Sequence, residues 1–151
     1  MKVQDILTSK GSAIVTVKST ETIATLSELL REHRIGAAVV SNNGQTIDGV
    51  ISERDIAYGL ASHPTGLHAL PVSELMTGTV VTCSPNDLVA RVASTMLSRN
   101  IRHLPVQDDG HLIGMVSIRD ILKERVDELQ QKTALLHSLA NKTDRPPEDR
   151  E

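Results

Sequence analysis

The chain contains no phenylalanine and no tryptophan, and its one aromatic residue is Tyr58. A core must therefore be assembled from valine, isoleucine, leucine, alanine and methionine. No aromatic platform exists on which the bases of a single-stranded nucleic acid would stack. A single cysteine, Cys83, excludes an internal disulfide and a cysteine-rich zinc site. Excess positive charge is missing too: the formal net charge is -3, so no basic field drives non-specific nucleic-acid binding. No apolar run approaches the roughly 20 residues of a membrane-spanning helix. The opening Met1-Lys2-Val3-Gln4-Asp5 lacks the charged-then-apolar pattern of a signal peptide. A cytoplasmic protein is the expectation, with no membrane contact and with nucleic acid disfavoured.

Catalytic signatures are absent as well. There is no Ser-His-Asp order, metal cluster or glycine-rich phosphate loop. His33, His63, His68, His111 and His137 show no metal-ligand spacing and read as solvated side chains. Cys83 falls on an expected strand with no ordered histidine partner, which suits buried filler better than a nucleophile.

What the chain does contain is a repeat. Gly49-Val50-Ile51-Ser52-Glu53-Arg54-Asp55-Ile56 recurs as Gly114-Met115-Val116-Ser117-Ile118-Arg119-Asp120-Ile121, with Gly, Ser, Arg, Asp and Ile in register. Upstream, after a one-residue deletion in the second copy, Thr16 pairs with Thr82, Ala24 with Ala90, Ile35 with Ile101, Val40 with Val106 and Gly44 with Gly110. The openings match loosely, Val3 to Thr8 against Val72 to Thr77. Internal duplication accounts for a match of this length.

Each copy carries the same order of signals. A short apolar run, Ile14 to Val17 or Val80 to Cys83, reads as a strand. Polar residues, Ser19-Thr20-Glu21 or Ser84-Pro85-Asn86-Asp87, then open an amphipathic helix. Its apolar residues keep helical spacing: Ile23, Leu26, Leu29 and Leu30 in one copy, Val89, Val92, Ala93, Met96 and Leu97 in the other. Two strands follow, Ala37 to Val40 or Leu104 to Val106, then a strand ending at Ile51 or Val116. The turns Asn42-Asn43-Gly44 and Asp108-Asp109-Gly110 separate them. Ser52 and Ser117 stand at helix N-caps.

The predicted fold class is α/β of the α+β kind: two tandem β-α-β-β-α repeats packed as a pseudo-two-fold pair, with a long C-terminal helix. The first repeat is expected at 1–62, a surface linker at 63–71 and the second repeat at 72–125. A helical extension is expected at 126–140 and a disordered, charged tail with Pro146-Pro147 at 141–151. Leu122, Val126, Leu129, Thr133, Leu136 and Ala140 form a heptad-like seam along the extension.

The paired Gly-x-x-Ser-x-Arg-Asp motifs, together with Arg102-His103-Leu104-Pro105-Val106, resemble the CBS domain, named for cystathionine β-synthase. Two such domains form a Bateman module. The resemblance covers roughly residues 1 to 125, and the chain is similar to the stand-alone bacterial type.

It implies an adenine-nucleotide sensor with clefts between the repeats and no catalytic cofactor. The implied ligands are AMP, ADP, ATP or NAD(H), with S-adenosylmethionine ranked behind them. Asp55 and Asp120 would accept from ribose hydroxyls, Ser52 and Ser117 would contact phosphate, and Thr16 and Thr82 would flank the base. Arg102 and His103 would face phosphates. Gly36, Ala37, Ala38, Arg54, Leu104, Pro105 and Arg119 complete the implied ligand-binding set.

Elementary chemistry runs the same way. A carboxylate is a two-oxygen acceptor suited to vicinal hydroxyls, and a Ser-capped helix start aims N–H groups and dipole at an anion. Because Gly36-Ala37 stands where the second copy has Arg102-His103, the second-copy cleft is expected to be the better phosphate site. The family also implies a homodimer and a protein partner to be regulated. The competing reading is a non-catalytic scaffold with vestigial clefts that binds a partner through its C-terminal helix.

Overall fold

The computed structural model describes residues 1–11 and 13–143. The first repeat runs α1 (Val3–Lys10), β1 (Thr16–Val17), α2 (Ile23–His33), β2 (Ala37–Val40), β3 (Gly49–Ser52) and α3 (Glu53–Ser62). Short 3-10 turns at Leu67–Ala69 and Val72–Glu74 lead to α4 (Val89–Arg99), β4 (His103–Asp108), β5 (His111–Ser117) and α5 (Ile118–Thr143). This is the expected pair of mixed α/β repeats ending in a long helix. The addition is α1, which precedes the first strand.

β2 lies between β1, its parallel neighbour, and β3, its antiparallel one. All four of its residues are buried, as befits a central strand. β4 and β5 form an antiparallel hairpin whose turn places Asp109 at φ 48 and Gly110 at φ 76. Two adjacent positive φ values match the handedness of a tight hairpin, and Asp-Gly adopts them readily.

The expected strand from Val80 to Cys83 shrinks to one parallel bridge, Cys83 to Val106. Proline explains it. In the first repeat the Val39 N–H donates to Val15 and the Ser41 N–H to Val17. In the second, Gln107 donates to Cys83, but Pro105 stands where Val39 does and has no N–H to offer.

The helix openings also sit later than expected. α2 is capped by Thr22, whose hydroxyl accepts from the Thr25 N–H at 3.2 Å, and α4 follows Leu88. The polar residues ahead of them close turns instead. Glu21 accepts from the Lys18 N–H at 3.0 Å, and Asp87 accepts from the Ser84 N–H at 2.8 Å.

Two hydrophobic clusters form, and each borrows from the other repeat. Val3 and Ile6 of α1 pack with Cys83, Val92, Met96, Leu104, Val106, Val116 and Ile121 of the second repeat. Val72 packs with Val17, Ile23, Leu26, Leu30, Ala38, Val40 and Ile51 of the first. The hydrogen bonds are exchanged in the same way. Val3 donates to Asp87, Gln4 to Pro85, and Val89 to Met1. Their repeat equivalents are Val72 to Glu21, Ser73 to Ser19, and Ile23 to Leu70.

The exchange explains the motif glycines. A Cβ on Gly114 would lie 2.6 Å from Leu7, and one on Gly49 would lie 2.9 Å from Met76. Leu7 and Met76 belong to the two exchanged openings, so each must pass directly over bare backbone.

The connection expected as a surface linker also contributes to the core. Leu67 and Leu70 pack against the cluster of the first repeat. At the other end, α5 leaves the body after Ile121 and exposes Leu122, Val126, Leu129 and Leu136 of the heptad-like seam. It continues to Thr143, three residues into the stretch expected to be disordered, and the remainder of that stretch lies outside the described residues.

Because Ile6 is 1% exposed within a core that, α1 apart, is made by the second repeat, Ile6→Ala should lower unfolding free energy by about 2–5 kcal/mol. Leu129→Ala, on the exposed part of α5, should change it by less than about 0.5 kcal/mol. Urea unfolding reads both, and equal effects would contradict the exchange.

Candidate functional site

Two clefts lie between the repeats, and both are composite. One, about 220 Å³, joins Ser52, Glu53, Arg54 and Asp55 of the first repeat to Thr77–Val81 and Asn100–His103 of the second. The other, about 950 Å³, joins Ser117, Ile118, Arg119 and Asp120 of the second repeat to Lys10, Ala13–Val15 and the end of α2 in the first. Gly36, Glu53, Arg102 and His103 line both.

The Asp120 cleft brings Arg102 and His103 together with Ser117 and Asp120, but the basic pair is shared. Arg102 and His103 form part of the Asp55 cleft as much as the Asp120 cleft. Gly36, their repeat equivalent, lies with them.

The Ser and Asp positions follow from helix capping. In the first repeat the Ser52 N–H donates to Asp55 Oδ2 at 2.8 Å, and the Asp55 N–H donates to Ser52 Oγ at 3.4 Å. The second repeat reproduces this with Ser117 and Asp120, at 2.9 and 3.1 Å. Such reciprocal capping fixes both carboxylates at the mouths of helices α3 and α5.

Asp120 carries a further partner. Lys10 Nζ, reaching from α1, donates to Asp120 Oδ2 at 2.8 Å and to the Met115 carbonyl at 2.9 Å. Burial tends to raise the Asp120 pKa, but hydrogen bonds from Lys10 and Ser117 and the Lys10 charge outweigh it, so the carboxyl sits below its ordinary range.

Of the other residues expected at the site, Gly36, Ala37 and Arg119 line the larger cleft and Arg54 the smaller. Arg54 Nη1 donates to the Asn100 carbonyl at 3.0 Å, tying α3 to the second repeat. Thr16, Ala38, Thr82, Leu104 and Pro105 line neither cleft. Ala38, Leu104 and Pro105 are buried, and the Thr82 hydroxyl accepts from Gln107 Nε2 at 3.0 Å. Instead, Ala13–Val15 and Thr77–Val81, just before those threonines, form the walls.

Sequence reasoning missed Lys10, Arg31, Arg34 and Glu53. Arg31 and Arg34 carried a readable signal, since they end the helix that leads into Gly36. Lys10 carried none, because only the exchange of α1 brings it across. Cys83 offers no thiolate: burial, reinforced by the Asp87 charge, pushes its pKa up to about 12. Among the described residues no group of histidine, cysteine and carboxylate side chains is arranged to hold a metal ion, and no helix is long and apolar enough to cross a membrane.

His103, between the clefts, is held below its ordinary pKa of 6.5, chiefly by burial. Glu53 and Asp120 work to raise it, and Lys10 and Arg102 add to the lowering. The unfolded chain therefore takes up this proton first as the pH falls. Stability from neutral His103 is complete above about pH 6.5 and declines below it. Unfolding free energy should fall as the pH drops below about 6.5, and His103→Gln should flatten that slope. Urea titrations across this range check the point; parallel profiles would contradict the assignment.

The clefts can be set beside known proteins. The chain matches the CBS domain family over residues 3–62 and 72–127. It is 32% identical over 111 residues to the uncharacterized protein MK0525 of Methanopyrus kandleri, covering 73% of this chain but only 57% of that protein's length. The solved CBS-domain protein ATU1752 of Agrobacterium tumefaciens superposes with a TM-score of 0.80 at 34% identity, covering 83% of this chain and 99% of that one. The CBS domain pair of protein MJ0100, solved with 5'-methylthioadenosine and S-adenosyl-L-methionine, gives 0.76 at 28%, covering 85% and 98%. With two matched repeats, exchanged openings and composite clefts, this chain belongs to the CBS domain family as a CBS domain pair.

Proposed function

We propose that this CBS domain pair is an adenine-nucleotide sensor that binds its ligand without converting it, chiefly in the Asp120 cleft. The observation that carries the reading is the composite construction of that cleft. A molecule filling it touches both repeats at once, so its affinity depends on how they sit. Differential affinity for two inter-repeat geometries is what a regulatory module needs, and a protein partner would read the difference. Support for the adenosine moiety comes from the MJ0100 pair, which was solved with two adenosine compounds.

Asp120 accepts from the ribose hydroxyls in this proposal, using Oδ1, since Ser117 and Lys10 both donate to Oδ2. Ser117 and the start of α5 face phosphate, where the helix dipole favours negative charge. His103 and Arg102 stand beside it. AMP, ADP, ATP and NAD(H) fit this set better than S-adenosylmethionine, whose sulfonium adds positive charge to a cationic wall. The Asp55 cleft, at about 220 Å³, is below the roughly 300 Å³ typical of small-molecule pockets and is the secondary site.

A thermal-shift panel of AMP, ADP, ATP, NAD, NADH and S-adenosylmethionine tests the reading. At about 100 times its dissociation constant, the true ligand should raise the melting temperature by roughly 5–10 °C. Asp120→Ala, compared with its own ligand-free melting temperature, should lose most of that shift. No shift at millimolar ligand would leave the scaffold reading, with vestigial clefts and a docking helix, in its place.

We propose further that the exposed leucine seam of α5 reinforces a homodimer, since it otherwise leaves Leu122, Val126, Leu129 and Leu136 in water. Truncation after Lys123 should convert the dimer to monomer in light scattering. An unchanged dimer would remove the helix from the assembly.

A further inference from the structure

The clefts are equivalent by repeat but not by charge. The Asp120 cleft sets five cations, Lys10, Arg31, Arg34, Arg102 and Arg119, against two carboxylates, Glu53 and Asp120. The Asp55 cleft sets Arg54 and Arg102 against Glu53 and Asp55. One wall is strongly positive and the other is balanced.

The difference arises at identifiable positions. Arg31 and Arg34, at the end of α2, correspond in the repeat to Leu97 and Asn100 at the end of α4. Arg34 and Asn100 are both helix C-caps in the left-handed conformation, each at φ 53. Asparagine adopts that conformation readily and arginine does not. Arginine at 34 thus keeps a backbone strain that asparagine relieves at 100, and its side chain lines the cleft.

These guanidinium groups are also unspent. Arg54 is tied to Asn100 and Lys10 to Asp120. Among the described residues, Arg31, Arg34, Arg102 and Arg119 form no ion pair and no hydrogen bond through their side chains. Four unpaired guanidiniums lining one cleft of about 950 Å³ call for a polyanion, because guanidinium pairs with phosphate in bidentate fashion.

We propose that the two clefts sort ligands by charge, with the Asp120 cleft taking a nucleoside di- or triphosphate and Arg31 and Arg34 conferring that preference. The adenosine half of the ligand rests on the sensor reading above; the polyphosphate half rests on the charge of the cleft alone. The Asp55 cleft, small and electrically balanced, takes no polyphosphate.

Calorimetric titration of adenosine, AMP, ADP, ATP and inorganic triphosphate into wild type and into the Arg31→Gln/Arg34→Asn double variant tests this. Wild type should bind ATP at least about 100-fold more tightly than adenosine, since each charge-assisted contact is worth roughly tenfold. The double variant should bring ATP to within about threefold of AMP while leaving adenosine affinity unchanged. Its melting temperature should not fall, because asparagine suits the left-handed cap, so lost binding will not reflect lost folding.

A phosphate ladder that persists in the double variant, or its absence in wild type, overturns the charge assignment. If adenosine compounds bind without that ladder, the sensor reading survives and this inference fails. If inorganic triphosphate binds wild type but not the double variant, and adenosine adds nothing, the inference stands and the adenine reading fails. If none of the five binds, both fall.

Discussion

Each repeat gives its opening segment to the other, and the rest of the molecule depends on that exchange. Val3 is buried among residues of the second repeat, and Val72 among residues of the first. Neither repeat has a complete core by itself. A unit of this size buries too little surface to be comfortably stable alone, and a reciprocal gift of apolar side chains and backbone hydrogen bonds compensates both at once. The exchange also forces sequence. Gly49 starts β3 and Gly114 lies within β5 because Met76 and Leu7 cross them so closely that a Cβ there would force the crossing segment to shift. A motif glycine that looks like a local turn residue is therefore set by a contact made from the other repeat.

The same crossing makes the clefts. α1 enters the second repeat and its exit carries Lys10 and Ala13–Val15 to the side of Ser117 and Asp120. The second opening exits through Thr77–Val81 beside Ser52 and Asp55. A cleft built this way cannot be filled without bearing on both halves. Gly36, Glu53, Arg102 and His103 stand in the wall between the two, so an occupant on one side meets side chains that also face the other. Coupling between two bound ligands would need no long path, because the clefts share a partition. Its sign and size depend on the differential contacts each ligand makes with that partition.

Much of this was legible in the sequence where the controlling physics is local. Asp109-Gly110 demanded a tight hairpin, and Ser52 and Ser117 demanded helix starts, because turn and cap preferences act within a few residues. The strand at Val80–Cys83 was misread because its hydrogen bonds depend on Pro105, more than twenty residues on. α1 was missed because eight residues with two buried positions carry too little periodicity. A helix that short is held by tertiary packing and has little stability of its own. Thr16 and Thr82 matched each other in register, yet register says which residues are equivalent and not which of them face a cavity. The basic character of the larger cleft failed to show for a related reason. Lys10, Arg31, Arg34 and Arg119 come from three separate helices, and a net charge of -3 over the whole chain conceals a local excess of the opposite sign.

Repetition of Ser and Asp in the two motifs invites a functional reading, but the geometry shows that repetition alone does not require one. Each carboxylate closes a capping box, and capping would conserve the pair in both copies even in a protein that bound nothing. What distinguishes the two is their surroundings. Lys10 pairs with Asp120, and Arg31 and Arg34 line the Asp120 cleft but not the Asp55 cleft. The two halves share one fold because the exchange requires it. They differ in charge because the end of α2 carries Arg31 and Arg34 where the end of α4 carries Leu97 and Asn100.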